Sequence, residues 1–173
     1  MTNDEIVYQT GIDNGLPSAV ATMLAAQARL ESGNYTSNLY LQNNNAFGYK
    51  YVGQFGAHQG ILAPKSEWNN PNVAGYYAAY DSLAKSALEV VKWIKRRIKE
   101  GVFTMEDLTN PDDYANAFKK AGYFGETAYE YSQDLASIVK HYFETAMTYV
   151  KSNPTVVIIG LIIILAAANS KRI

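Results

Sequence analysis

One carboxylate closes an apolar run. In PSAVATMLAAQARLESG, Glu31 follows Val20, Met23, Leu24, Gln27 and Ala28, which fall on neighbouring turns of one helical face. Pro17 and Ser18 supply a helix start and Ser32-Gly33 a stop, so Glu31 belongs to the last turn. There the unpaired carbonyls make the local potential negative, which disfavours a carboxylate and raises its pKa. A carboxylic acid kept protonated near neutrality can donate to a glycosidic oxygen, and general-acid chemistry is the expectation for Glu31.

Other elements must position that acid. Asn3 to Thr10 can form a short helix stopped by Gly11, ahead of a helix from Leu16 to Glu31. Tyr35 to Tyr77 is rich in Asn, Gly and Tyr, contains Pro64 and Pro71 and lacks long helical periodicity, so it reads as loops with a small hairpin. Helical spacing returns over Ser82 to Glu100, with Leu83, Ala87, Val90, Val91 and Ile94 inward and Asp81 as its cap. Pro111 opens Asp112 to Ala121, which Gly122 ends. Leu135, Ile138, Val139, Tyr142, Phe143, Ala146 and Met147 then mark the inward stripe of a last helix.

Composition excludes several other chemistries. With 173 residues and a net charge of −1, the chain can bury one core and carry one appendage. Lys92, Lys95, Arg96, Arg97 and Lys99 gather at helical spacing and read as a solvated face, so no nucleic-acid partner is expected. Cysteine is absent, which removes disulfides and thiolate metal sites. His58 and His141 have no acidic neighbours at ligand-like spacing, and neither a phosphate-binding glycine loop nor a serine nucleophile elbow occurs. No metal or other cofactor is expected.

GLPSAVATMLAAQARLESGNYTSN followed by NNNAFGYK resembles the glucosaminidase family of peptidoglycan hydrolases, glycoside hydrolase family 73, which includes autolysins and the flagellar muramidase. Carrying the resemblance are Pro17-Ser18, Ala26-Gln27, Leu30-Glu31-Ser32-Gly33, Asn44-Asn45 and Phe47-Gly48-Tyr49-Lys50. Tyr80-Asp81-Ser82 with Ser86 resembles the family's tyrosine-x-serine helix, and AGYF around Tyr123 its C-terminal tyrosine motif, so the likeness runs roughly from Asn3 to Tyr142. Two departures stand out. Tyr35 occupies a position where family members usually have glycine, and Phe124-Gly125-Glu126-Thr127 replaces an alanine-threonine-aspartate-proline run. Lytic transglycosylases also use a glutamate-serine pair at a helix end, but a glycine-leucine-methionine-glutamine segment normally follows, where this chain has its asparagine run.

The resemblance implies a mainly α, lysozyme-like α+β fold in which a helical lobe faces a small irregular or hairpin lobe across a cleft. It also implies a second acid in that smaller lobe. Between Glu31 and Asp81 the chain's one carboxylate is Glu67, in APKSEWNN. Glu67 activating water opposite Glu31 would give inversion, for carboxyls ~6.5–9.5 Å apart. In the rival route the substrate's own 2-acetamido carbonyl attacks the anomeric carbon and Tyr123 steadies the intermediate. Tyr40, Tyr49, Tyr51, Phe55, Trp68, Tyr76 and Tyr77 crowd the smaller lobe, where ring faces can stack on sugars. Asn45, Phe47, Tyr49 and Trp68 are the expected substrate contacts, with core packing the competing role for Phe47.

The C-terminus differs in kind. Residues 152–170 contain no charge, and these 19 residues would span ~28 Å as a helix, close to one bilayer core. Lys151 and Lys171-Arg172 bracket them like interface anchors. The expected organisation is therefore a glucosaminidase-like domain over 1–150 and a transmembrane anchor over 151–173, with peptidoglycan strands and a lipid bilayer as partners. Met1 to Thr10 is acidic and polar, unlike a signal peptide. The internal membrane of a virion, or a host envelope at lysis, would reconcile that start with a wall-cleaving enzyme, and a bacterial tail-anchored autolysin is the competing setting. The competing functions are a lytic transglycosylase or muramidase, and an inactive glycan-binding membrane protein of a virion.

Overall fold

The structure, a computed structural model, describes residues 1–67, 72–124 and 127–152. Two compact units divide the chain, Met1–Ala136 and Ser137–Ile173. The first holds every candidate site residue.

Helix α1 (Asn3–Asp13) begins with a capping box: the Thr2 hydroxyl accepts from Glu5 N at 3.2 Å and the Glu5 carboxylate accepts from Thr2 N at 2.7 Å. The expected stop at Gly11 is corrected. The helix runs through it, because Gly11 is buried where α1 crosses α2 (Ser18–Glu31), and a Cβ there would stand 3.1 Å from the Ala21 Cβ. Glycine here serves close packing. Helix α2 buries Val20, Ala21, Met23, Leu24, Ala25, Ala26, Gln27 and Ala28, so it is the central helix of the unit, and its alanines let its neighbours approach.

The stretch read as loops with a hairpin contains both that hairpin and an unforeseen helix. Helix α3 (Asn38–Asn43) is capped by the Ser37 hydroxyl, which accepts from Tyr40 N at 3.2 Å, and it ends at Asn44 with φ 50°. Strands β1 (His58–Leu62) and β2 (Tyr76–Ala79) pair antiparallel, His58 opposite Ala79 and Leu62 opposite Tyr76, with an irregularity between Gln59 and Leu62. Gly60 sits at that irregularity. A Cβ on it would lie 2.2 Å from the Asn43 side chain and 2.9 Å from Tyr77 O, so the hairpin docks on α3 only because this side chain is missing.

Helix α4 (Leu83–Lys99) buries Leu83, Ala87, Val90, Val91 and Ile94 as expected, and also Trp93. Its cap is Ser82, whose hydroxyl accepts from Lys85 N. Asp81, expected in that role, pairs instead with His58 and Lys85. Helix α5 (Pro111–Lys120) starts with proline behind the Asn110 cap. Its Tyr114 and Phe118 rings stack at 4.2 Å, and Phe118 meets Trp93 of α4 at 4.8 Å.

Helix α6 (Ala128–Ser152) follows. Within the first unit it buries Tyr131, Ser132 and Leu135. Further on, the inward stripe predicted from the sequence is not continued: Phe143, Ala146 and Met147 are exposed. Among the described residues no helix is long and apolar enough to cross a membrane. The anchor expected over 152–170 lies, beyond Ser152, outside the described residues.

Candidate active site

Glu31 is the last residue of α2, and its side chain is exposed. Behind it the chain turns sharply. Ser32 is buried, and its hydroxyl accepts from Tyr35 N at 2.9 Å. Asn34 and Tyr35 both adopt left-handed backbone, φ 58° and 61°. That explains why glycine suits the position Tyr35 fills: a left-handed residue with a Cβ costs ~1–2 kcal/mol. Tyr35 brings compensation. Its hydroxyl donates to Asp4 Oδ1 at 2.8 Å and its ring meets Tyr40 edge-on at 5.3 Å. Asp4 Oδ2 also accepts from Arg29 at 2.8 Å, so one carboxylate of α1 ties down both the last turn of α2 and the turn after it.

The carboxyl of Glu31 has a partner that sequence reasoning missed. The Tyr131 hydroxyl, from the start of α6, donates to Glu31 Oε1 at 2.8 Å. Tyr131 is buried, and its ring stacks on Phe124 at 4.1 Å. Burial and the neighbouring Glu31 charge hold the Tyr131 phenol well above its ordinary pKa, so it stays a donor. A signal was available: Tyr131 stands one turn before Leu135 on the buried face of the helix, and a buried tyrosine hydroxyl needs a partner. Beneath this pair, Tyr114 donates to buried Gln27 Oε1 at 2.6 Å.

The second predicted acid, Glu67, closes a short 3-10 turn over Lys65–Glu67. It forms an ion pair with Lys50, the lysine of the FGYK motif, and accepts from the Tyr77 hydroxyl at 2.6 Å. Lys50 first, then Tyr77, hold its carboxyl below the ordinary value of 4.5. Tyr77 is pushed above its usual 10, by burial and then by Glu67. Glu67 lines a cleft of about 370 Å³ together with Tyr49, Lys50, Trp93, Arg97 and Tyr123. On its other side a smaller cavity of about 180 Å³ is walled by Tyr51, Val52, Val73 and Tyr76.

Tyr123 is near both acids without a described hydrogen bond to either. It lines the cleft that holds Glu67, and Glu31 is among the groups that raise its pKa, after burial and Tyr49. Its hydroxyl donates to Phe47 O at 3.0 Å. Glu31 itself is not among the residues lining that cleft.

The remaining predicted contacts divide. Tyr49 lines the cleft, with its ring 5.9 Å from that of Tyr123. Phe47 is buried, in keeping with core packing, and its carbonyl serves Tyr123. Asn45 requires a correction: it is buried, Oδ1 accepts from Phe47 N and Tyr49 N, and Nδ2 donates to Tyr49 O and Ala78 O. All four of its hydrogen-bonding positions serve the backbone, so it shapes the loop and has none left for substrate. Ser86 does related work, accepting from Ala46 N at 3.3 Å. Trp68 lies outside the described residues. No group of three or more His, Asp or Glu side chains that could hold a metal ion occurs among the described residues.

The chain thus carries an acid at a helix end and a cleft lined by the loop that follows the asparagine run, by Trp93 and Arg97 of α4, and by Tyr123. A profile described as mannosyl-glycoprotein endo-beta-N-acetylglucosaminidase matches residues 10–144, and the chain belongs to this glucosaminidase family. The fold is shared with solved structures. A peptidoglycan hydrolase from Sphingomonas sp. A1 superposes with a TM-score of 0.54 at 21% identity, covering 78% of this chain and 81% of that one. The glycoside hydrolase domain of FlgJ from Salmonella typhimurium gives 0.54 at 21% identity, covering 92% and 99%. The catalytic domain of the autolysin Auto from Listeria monocytogenes gives 0.52 at 20% identity, covering 80% and 79%. No curated protein sequence matches the chain.

Proposed function

We propose that this glycoside hydrolase cleaves the β-1,4 bond between N-acetylglucosamine and N-acetylmuramic acid in peptidoglycan. The observation that carries the reading is the Glu31 carboxyl at the end of α2, held through Oε1 by the Tyr131 hydroxyl at 2.8 Å. In support, the structural neighbours from Sphingomonas and Listeria are a peptidoglycan hydrolase and an autolysin.

On this reading Glu31 is the general acid. While Oε1 accepts from Tyr131, the carboxyl passes its proton to the leaving glycosidic oxygen as the bond to the anomeric carbon breaks. Glu67, kept ionised by Lys50 and Tyr77, takes a proton from the water that attacks the opposite face of that carbon. A second route is favoured by how tightly Glu67 is engaged. In it the substrate's acetamido carbonyl attacks, Tyr123, held as a neutral phenol by burial, exchanges its bond to Phe47 O for one to the intermediate, and water then opens that intermediate. Mass spectrometry of digested wall decides the bond: reducing N-acetylglucosamine ends are expected. Reducing muramic acid ends would make it a muramidase, and anhydro ends a transglycosylase.

We also propose that residues 152–170 attach the enzyme to a bilayer, on the strength of their uncharged sequence between Lys151 and Lys171-Arg172. A wall hydrolase held in lipid must reach glycan from the membrane side, and a virion's internal membrane or a host envelope is the setting proposed for it.

A further inference from the structure

The basic cluster late in α4 read as a solvated face in the sequence, yet one member faces the cleft. Arg97 lines it beside Trp93, with its guanidinium carbon 5.5 Å from the indole centre. Lys50, the other cation of that cleft, is paired with Glu67 and lies over the Tyr77 ring. The Arg97 charge is only partly engaged. Glu100 accepts from Nη1 at 2.8 Å, while Nε is buried and no described residue accepts from it. A second donor on the same wall, the Tyr49 hydroxyl, is also buried without an acceptor. With one N–H claimed by Glu100, the planar guanidinium keeps further donors for a carboxylate that enters the cleft.

Neutral sugars offer no such group, but the muramic acid half of wall glycan does. Its lactyl ether ends in a carboxyl, either free or amide-linked to a peptide that carries carboxylates of its own. We infer that Arg97 is a specificity residue that receives a carboxylate of the muramoyl substituent, placing the muramic acid residue on the Trp93 side of Glu67. The inference rests on the peptidoglycan reading above.

Calorimetric titration of the full chain in non-ionic detergent tests it with three ligands: a disaccharide-peptide repeat, a peptide-free repeat with its lactyl carboxylate exposed, and an uncharged chitooligosaccharide of equal length. Arg97→Gln should raise the ratio of Kd for a charged ligand to Kd for the chitooligosaccharide about 10-fold or more, the share of one charged hydrogen-bonded pair. Arg97→Lys keeps the cation and loses the fork, so it should fall between. A rise confined to the peptide-bearing repeat assigns the contact to a stem-peptide carboxylate, and one confined to the stripped repeat to the lactyl group. An unchanged ratio in both variants overturns the inference. If Arg97→Gln fails to fold, the ratio in Arg97→Lys decides alone. Wild-type wall cleavage, followed separately, tests the parent reading: its failure leaves the binding ratio readable, and a flat ratio leaves cleavage standing.

Discussion

At the residue scale the proposed chemistry rests on a hydroxyl and a carboxyl that meet from positions 131 and 31. Glu31→Gln keeps the shape and removes the transferable proton, so wall cleavage should fall by ~10² or more while thermal unfolding stays cooperative. Retention of most activity would remove Glu31 from the mechanism. Tyr131→Phe keeps the stacked ring and releases Glu31 Oε1. Its effect should fall on kcat, with KM nearly held, in steady-state turnover of soluble glycan. Glu67 makes a prediction in pH. Lys50 and Tyr77 lower its pKa, so the folded protein keeps it ionised to below 4.5. The stability this pairing supplies is present above the unfolded value and is lost as pH falls through the lowered one. If Glu67 is the base, the acidic limb of kcat should lie below 4.5 in the wild type and move upward in Lys50→Met. A limb that ignores Lys50 would favour the substrate-assisted route.

Elements differ in how openly the sequence announces them. Helices α2, α4 and α5 were legible because each pairs a recognisable start with a buried face repeating every three to four residues. Helix α3 was not, because six residues of NLYLQN are too few to show a period, and its Ser37 cap lies among many other polar residues. Gly11 misled for another reason: its role is a contact with Ala21, ten residues on, and no local rule reports it. The place of Glu31 at the end of α2 could be read from its own helix, whereas its partner Tyr131 is fixed only when α6 packs against α2. The asparagine motif was visible, but its task was not, since Asn45 reaches Ala78 across the fold to shape the loop. Hairpin docking supplies the test at this scale. Gly60→Ala drives a methyl into Asn43 and Tyr77 O, so it should destabilise the domain by ~1–3 kcal/mol in urea unfolding and weaken catalysis by shifting Tyr77 and the Glu67 it holds. An unchanged midpoint would mean that the hairpin is not pinned on α3.

For the whole molecule, the division of labour between catalytic unit and tail can be tested directly. Glu31, Glu67, Tyr123 and Tyr131 all lie within Met1–Ala136, and the hydrogen bonds described for them are made within that same unit. Residues 153–173 are rich in Val, Ile, Leu and Ala, and if they enter lipid as proposed, nothing in the site depends on them. A protein ending at Ser152 should therefore unfold cooperatively, remain in solution without detergent and cleave isolated wall at the full-length rate. The full chain should instead pellet with vesicles and resist extraction by 1 M salt, since burial of apolar side chains is not screened as charge attraction is. Release of the full chain by salt alone would point to a surface contact through Lys151, Lys171 and Arg172. A truncated protein that melts without cooperativity would place Val156 to Leu165 against the catalytic unit, and the bilayer would then have to be dropped as a partner.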